Sequence, residues 1–349
     1  MTATMKAVRF HEHGGPEVLH YEDAPRPVPG HGEVLIEVRA CALNRLDVWV
    51  RSGARGWQIP LPHILGADIA GVVVEVGPGV SVQVGMECFV HPGRPGGPSD
   101  YRLRGDDNIA EDYAPLGVFV DGGYAQYVVV PADNVMRKPA QLSWEETAAF
   151  PLTFLTAWHM LGPRRGDLKS GESVLVMGAS SGVGTAAIQF ARARGAHVIT
   201  TVGDSDKMQR ARELGAHEVI DHYEHAGAIH KQVYELTGGR GVDMVVEHVG
   251  GEVFGQCVKS LRRGGRLVTC GTTTGGQFEV DMQLVYAKHL TLLGSFMGSM
   301  GETAEYLPLV ERGLVKPVVD RVYALEHAAD AHMYMVRPSG HFGKIVLAP

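Results

Sequence analysis

Hydrophobic and polar positions change their rhythm twice along the chain. Up to about residue 150, β-rich runs such as 33–40 and 70–76 are punctuated by Pro-Gly and Gly-Pro pairs, which predicts a mainly β region. From Glu172 short continuous apolar runs alternate with helical stretches: SVLVM, TAAIQFARARG, HVITTV, DKMQRARELGA, EVID, VDMVVEHV and GRLVTCG. Apolar strands separated by helices predict a parallel sheet covered on both faces, with LTLLGSF (290–296) as its last strand. Beyond Gly298 an amphipathic ETAEYLPLVERG leads into VKPVVDRVYAL and HFGKIVL, whose β character matches the first region, so the C-terminus is expected to return there.

Length and composition narrow the class. A chain of 349 residues exceeds the size at which one core stops growing, so two domains are expected. Its 45% hydrophobic and 20% charged residues exclude the composition of a disordered chain. A net charge of −7 disfavours nucleic acid or an anionic membrane as the main partner. No apolar run approaches the roughly 20 residues of a membrane span, and the start, MTATMKAVRFHEHGGPEV, lacks the pattern of a secretory signal, so a cytoplasmic protein is expected. Four widely spaced cysteines (Cys41, Cys88, Cys257, Cys270) fit neither a disulfide framework nor a compact zinc site. The 45 glycines, about 13% against a usual 7%, suit an α/β enzyme with many tight turns.

The strongest local motif is SVLVMGASSGVGTAAIQFARARGAHV, which sets Gly178, Gly182 and Gly184 between a predicted strand and helix. Glycines there let a backbone approach a pyrophosphate, and the helix N-terminus attracts its charge, so a dinucleotide is expected on Gly178, Ser180, Ser181, Gly182, Val183 and Gly184. The second strand ends Thr200-Thr201-Val202-Gly203 without an acid at its tip, and Ser205, Lys207 and Arg210 follow to meet a 2′-phosphate. This favours NADPH; Asp204, aimed at the ribose, would favour NADH instead.

The order MKAVRFHEHGGPEVL, ACALNRLDVWVRSG, PHILGADIAGVVVEVGPGV, DGGYAQYVVV, PLTFLTAW, GASSGVG, VVEHVGG and HFGKIVL resembles the medium-chain dehydrogenase/reductase superfamily over essentially the whole chain. The resemblance implies an α/β protein. A GroES-like, mainly β catalytic domain would come from residues 1–152 and 299–349, and a Rossmann doubly wound parallel-sheet cofactor domain from 153–298. The family's zinc alcohol dehydrogenases place their catalytic metal ligands where this chain has Asn44, Ala67 and Leu152. An amide, a methyl and an isobutyl group cannot hold zinc, so no metal is expected. The family's four-cysteine structural zinc lobe falls, without a gap, on Gly96, Ser99, Arg102 and Ala110.

Zinc-free members with A-L-N-x-x-D form the quinone oxidoreductase and enoyl reductase-like branch. Similarity to them implies NADPH-dependent reduction of the C=C bond of an α,β-unsaturated carbonyl: a quinone, an enone or a coenzyme A thioester. On this reading Asn44 donates to the carbonyl or the cofactor ribose, and Asp47 orients Asn44, relays a proton or simply caps a helix. Trp49 replaces a tyrosine often found there. Thr153, Thr156, His248, Val249, Gly271, Thr272, Phe296 and Met297 would line the nicotinamide side, while Lys344 matches a basic residue near the pyrophosphate and pairs with Asp68. Arg51 and Arg55 are candidates for the phosphates of coenzyme A, with a solvated charged face as the plain alternative. The last Rossmann strand suggests a homodimer or homotetramer. Two other functions stay open: an NADPH-binding redox sensor or scaffold without turnover, and a metal-free alcohol or aldehyde dehydrogenase.

Overall fold

The structure, a computed structural model, describes residues 3–54, 56–94, 96–337 and 340–349. The chain divides into two compact units: Met1–Leu152 with Ser299–Glu311 and Pro317–Pro349, and Thr153–Gly298 with Arg312–Lys316. The Arg312–Lys316 segment departs from the boundary drawn from sequence because Gln189 holds it. Lys316 N–H donates to Gln189 Oε1 (2.8 Å), and Gln189 Nε2 donates back to Lys316 O (2.9 Å).

The first unit is GroES-like and mainly β. Its longest strand, Glu33–Ala42, pairs antiparallel with Asp68–Val76 and Tyr127–Pro131. The C-terminal strand Lys344–Ala348 returns to it, pairing Val346 with Ala42 and Leu347 with Cys41, and so adds a C-terminal strand to a sheet built mainly from the first 137 residues. A three-stranded sheet, Thr4–Phe10 between His20–Pro25 and His63–Ile64, lies within the same apolar cluster as Val34, Ile36, Val38, Ile69, Val73 and Leu347. The longest strand is buried at Val34, Leu35 and Ile36 and again from Ala40 to Ala42, so its central position covers both of its faces instead of leaving one wet.

The second unit is a six-stranded parallel sheet. Its order is Glu218–Asp221, His197–Val202, Ser173–Val176, Val242–Glu247, Leu261–Thr269, Thr291–Gly294. The order reverses between Ser173–Val176 and Val242–Glu247, where doubly wound sheets open a crevice at the carboxyl ends of their strands. The two strands flanking that point are buried along their whole length, as central parallel strands are. Leu175, Ile199, Val245 and Leu267 pack against Ile229, Val233, Phe254 and Cys257 of two helices, and Phe190 of the Gly182–Ala193 helix meets Phe154 and Trp158 edge-on.

The opposite, amino end of this sheet is pinned by Asp243. Its carboxylate accepts from Ser173 N (2.8 Å) and Ser173 Oγ (2.8 Å), pairs with Arg240 (2.7 Å) and contacts Arg262. These donors hold its carboxyl well below the usual range against the opposing effect of burial. Among the described residues no helix is long and apolar enough to cross a membrane.

Candidate functional site

In the first unit the chemistry gathers around Asn44, two residues beyond the longest strand and the cap of the helix Arg45–Ser52. Its backbone N–H donates to Asp47 Oδ2 (2.7 Å), its side-chain Nδ2 donates to Asp68 Oδ2 (2.9 Å), and its Oδ1 accepts from the Lys344 ammonium (2.6 Å). Lys344 donates further to Leu43 O (2.6 Å) and Asp68 Oδ2 (2.8 Å). Asp68 Oδ1 accepts from Leu152 N–H (2.7 Å). Asn44 is 6% exposed, Lys344 4% and Asp68 0%. Burial on this scale makes each missing partner costly, so the completeness of the network matters more than any one bond.

Three expectations change here. The Lys344 ammonium has three hydrogens and three acceptors, all within the first unit, so it does not reach for a pyrophosphate. Arg51 is 4% exposed, with Nε and Nη1 buried and without hydrogen-bond partners among the described residues, so it is no open cation for coenzyme A phosphates. The plain alternative, a solvated charged face, does not hold at Arg51 either, because positions 46, 47, 50 and 51 of the Arg45–Ser52 helix are the ones buried. Arg55 lies outside the described residues. Trp49 is half-buried against the apolar cluster of this unit.

Asp47 is both cap and network member. Tyr124 O–H donates to its Oδ2 (3.1 Å), and His332 Nε2 stands 3.2 Å from the same phenol. Since the phenol's one hydrogen goes to Asp47, His332 presents Nε2–H to the phenol oxygen. Burial pushes the Asp47 carboxyl up from 3.8 to about 6, against the pull of Asn44 N–H, Lys344 and Tyr124, and lowers the His332 imidazole to about 3. Between about pH 4 and 6 the folded chain therefore keeps an Asp47 proton that the unfolded chain has released, so this group lowers stability as pH rises through that window. Asp47→Asn removes that contribution. Relative to the parent, its unfolding free energy should rise by about 3 kcal/mol from pH 4 to 6 in denaturant titrations; parallel curves would show that the carboxyl ionises normally.

The residue types present do not fit a zinc ion. Asn44, Ala67 and Leu152 occupy the positions that the family resemblance gives to its ligands, and an ammonium already bonds to Asn44 and Asp68. The 96–112 loop is tied by polar bonds where the resemblance has four cysteines: Arg102 Nη1 donates to Gly96 O (3.1 Å), Arg102 N–H to Ser99 Oγ (3.2 Å) and Gly97 N–H to Asp112 Oδ2 (2.6 Å).

In the second unit the carboxyl ends of the strands bring together the predicted dinucleotide residues. Gly178 turns at φ +64° and donates its N–H to Thr201 Oγ1 (2.9 Å). Ser181 caps the Gly182–Ala193 helix: its Oγ accepts from Gly184 N–H (2.8 Å) and donates to Gly178 O (2.9 Å). A side chain at Gly184 would place its Cβ 2.1 Å from Gly178 O, so the turn is a cradle only glycine permits. Capping takes the Gly184 amide and leaves those of Gly182 and Val183, in the first turn, to an anion, so the residues present fit a pyrophosphate. Ser180 lies beside the cap. His248 Nε2 stands 3.1 Å from Ser181 Oγ, and Val249, Gly271 and Thr272 follow at the ends of the next two strands. Thr153 and Thr156 are buried in the helix Pro151–Leu161; Phe296 is exposed, and Met297 is buried at φ +53°.

At the second strand's tip Asp204 caps the helix Ser205–Glu213 by accepting from Lys207 N–H (3.0 Å), and pairs with Lys207 Nζ (3.2 Å). Ser205 and Arg210 are exposed, while Lys207 is largely buried. Sequence reasoning missed His222 and Tyr223. Their rings meet at a tilt beside Gly203, whose absent side chain would meet Tyr223 at 2.8 Å and His222 at 3.1 Å, and Tyr223 is 60% exposed. The signal was VIDHY, ending the third strand beside that tip. Glu247 was missed too: fully buried, it accepts from Val249 N–H (2.5 Å), Gly250 N–H (2.7 Å) and Thr269 Oγ1 (2.9 Å), shaping the turn that carries His248.

Two family models match: "Alcohol dehydrogenase GroES-like domain" over residues 30–140 and "Zinc-binding dehydrogenase" over 182–312. Among curated proteins, the quinone oxidoreductase of Mus musculus is 34% identical, covering 98% of this chain and 97% of that protein. A crotonyl-CoA reductase of Streptomyces collinus is 33% identical over 94% of this chain and 80% of its own length. Among solved structures, an NAD-dependent alcohol dehydrogenase superposes with TM-score 0.94 at 44% identity, covering 99% of this chain and 100% of that one. A crotonyl-CoA carboxylase/reductase in complex with NADP superposes with TM-score 0.91 at 27% identity, over 99% and 94%.

Proposed function

The chain belongs to the medium-chain dehydrogenase/reductase superfamily and is an oxidoreductase, and from this premise we propose that it reduces the C=C bond of an α,β-unsaturated carbonyl compound with NADPH and without zinc. The observation that carries the reading is the Asn44–Lys344–Asp68 cluster. Where the family's alcohol dehydrogenases polarise oxygen with a metal, this chain offers an amide N–H beside a buried ammonium. Hydrogen bonding suffices for a conjugated carbonyl, because negative charge reaches the oxygen as an enolate while hydride adds to the β-carbon.

The bound reduced nicotinamide dinucleotide would supply that hydride. Gly178–Gly184 would hold its pyrophosphate, and the exposed Ser205 and Arg210, with His222 and Tyr223 beside Gly203, support recognition of a 2′-phosphate. Asn44 would donate to the carbonyl oxygen, and Asp47 would fix the Asn44 backbone. Tyr124, buried on Asp47 and His332, is no proton donor to substrate, so solvent would protonate the α-carbon. Quinones, enones and enoyl thioesters remain the candidate substrates, the first and last supported by the named relatives. The same reading takes the protein as cytoplasmic and as a homodimer paired through the edge strand Thr291–Gly294, where Leu292 is exposed; a sedimentation mass of one chain would remove the dimer.

The test is oxidation of NADPH and NADH by 1,4-benzoquinone, an enone, crotonyl-CoA and a saturated ketone, each with and without chelator. Chelator-insensitive turnover with unsaturated acceptors is expected, with kcat/KM for NADPH about tenfold or more above NADH. Turnover of the ketone alone, or its loss to chelator, would reinstate the alcohol dehydrogenase reading that the 44% identical structure favours. Binding of NADPH without any turnover would leave the sensor.

A further inference from the structure

We propose that Lys344 and Asp68 are positioning residues that lock the Asn44 amide with an N–H toward the substrate and strengthen that donor as negative charge builds on the substrate oxygen. The inference deepens the reading above and rests on it for the place of the carbonyl at Asn44.

An asparagine amide has nearly the same shape either way round, so its partners decide which end points where. Both partners of Asn44 are unambiguous. An ammonium only donates, and Lys344 Nζ sits 2.6 Å from Oδ1; a carboxylate only accepts, and Asp68 Oδ2 sits 2.9 Å from Nδ2. Turning the amide over would set N–H against ammonium and C=O against carboxylate, two repulsive contacts among groups that are at most 6% exposed. Neither partner can swing away to relieve them. Lys344 is held by Leu43 O as well as by Asp68 Oδ2, and Asp68 Oδ1 is held by Leu152 N–H.

One amide hydrogen of Asn44 is spent on Asp68. Among the described residues the other meets only Ala42 O at 3.5 Å, the outer limit of a hydrogen bond and readily exchanged for a better acceptor. Lys344, bonded to the amide oxygen, draws electron density from the nitrogen and leaves its N–H more positive. That polarisation gains most from an acceptor whose charge grows during reaction, so its effect falls on the transition state rather than on ground-state binding.

The experiment compares K344A, which leaves a hole, with K344M, which fills it. With the best unsaturated acceptor, kcat should fall about 100-fold in both variants while KM stays within about threefold. Methylammonium should raise kcat of K344A saturably, by about tenfold; tetramethylammonium, which has no N–H, should not, and K344M should respond to neither. Folded K344M with kcat within about threefold of the parent would overturn the lock. So would K344A whose unfolding midpoint rises with methylammonium while its kcat does not. Should K344A fail to fold, K344M alone decides by its kcat. If the parent reduces none of the acceptors, the substrate reading fails by itself and the lock is judged on the side-chain amide signals of Asn44 in the 15N-labelled protein, identified by their loss in N44D. Two separate, slowly exchanging proton signals in the parent that broaden together in K344M support it; identical signals in both would sink it.

Discussion

Gly184→Ala should abolish dinucleotide binding, with the dissociation constant for NADPH rising at least about 100-fold in fluorescence titrations. The added Cβ would stand 2.1 Å from Gly178 O and 2.9 Å from both Gly178 C and Ser181 Oγ, and two of these three atoms are backbone. No flexible side chain can yield. The Gly178 carbonyl must move, and it is the acceptor for Ser181 N–H (3.0 Å) and Ser181 O–H (2.9 Å), so the cap that orients the first turn of the helix goes with it. Overpacking of this kind costs about 1–3 kcal/mol, which in a unit of this size lowers the unfolding midpoint by roughly 5 °C. Gly255→Ala is the control: it lies inside the helix Val253–Ser260 with nothing closer than 3.9 Å, and should be neutral or stabilising. Binding by Gly184→Ala within about threefold of the parent would show that the turn does not hold the pyrophosphate.

The largest loss of stability should come from Asp68→Leu. Asp68 is fully buried and serves Lys344, Asn44 and Leu152 at 2.8, 2.9 and 2.7 Å. Its removal leaves an ammonium in the interior without its counter-charge, which typically costs about 3–5 kcal/mol, or about 10 °C of midpoint for a unit of this size. The double variant D68L/K344M should recover part of that, because no unpaired charge stays buried, while Leu152 N–H, the Asn44 amide and Leu43 O lose their partners, at about 1–3 kcal/mol each. A coupling of about 2 kcal/mol or more is expected from the four calorimetric midpoints. Additive losses would mean that the two charges do not depend on each other, and the fixed cation at Asn44 would lose its basis. The double variant should be stable and inactive, separating what the pair does for folding from what it does for Asn44.

Asn44 shows where reading the sequence succeeds and where it stops. Its place in A-L-N-R-L-D marked it as the residue standing for a lost metal ligand, and its amide as a donor. Which way the amide faces depends on Asp68 and Lys344, 24 and 300 positions away, and no local pattern states that they converge. Lys344 was assigned toward the cofactor because its type and motif suit an anion, yet the return of the C-terminal strand beside Glu33–Ala42 delivers it to three acceptors in its own unit. Arg51 failed for a simpler reason. A basic residue near a helix end is usually solvated, but here the helix turns positions 46, 47, 50 and 51 inward, and a guanidinium goes with the leucine and valine of its face. Lys207 and Asp204, each weighed singly as a ribose or phosphate group, form one pair with each other.

By itself the sequence determined what depends on residue type and short spacing. Branched runs without alternation made a buried parallel sheet, a glycine turn between strand and helix made a cap that admits no side chain, and positions 44, 67 and 152 carry an amide, a methyl and an isobutyl group. Each of these is settled within a few residues, by backbone geometry or by the chemistry of a single side chain. Only the tertiary structure decided which charges are buried, which carboxylate meets which cation, and which hydrogen of Asn44 is left over. Those outcomes depend on segments far apart in the chain and on the loss of water around them, and desolvation turns an ordinary Asp, Lys or Arg into a group that must find its partner.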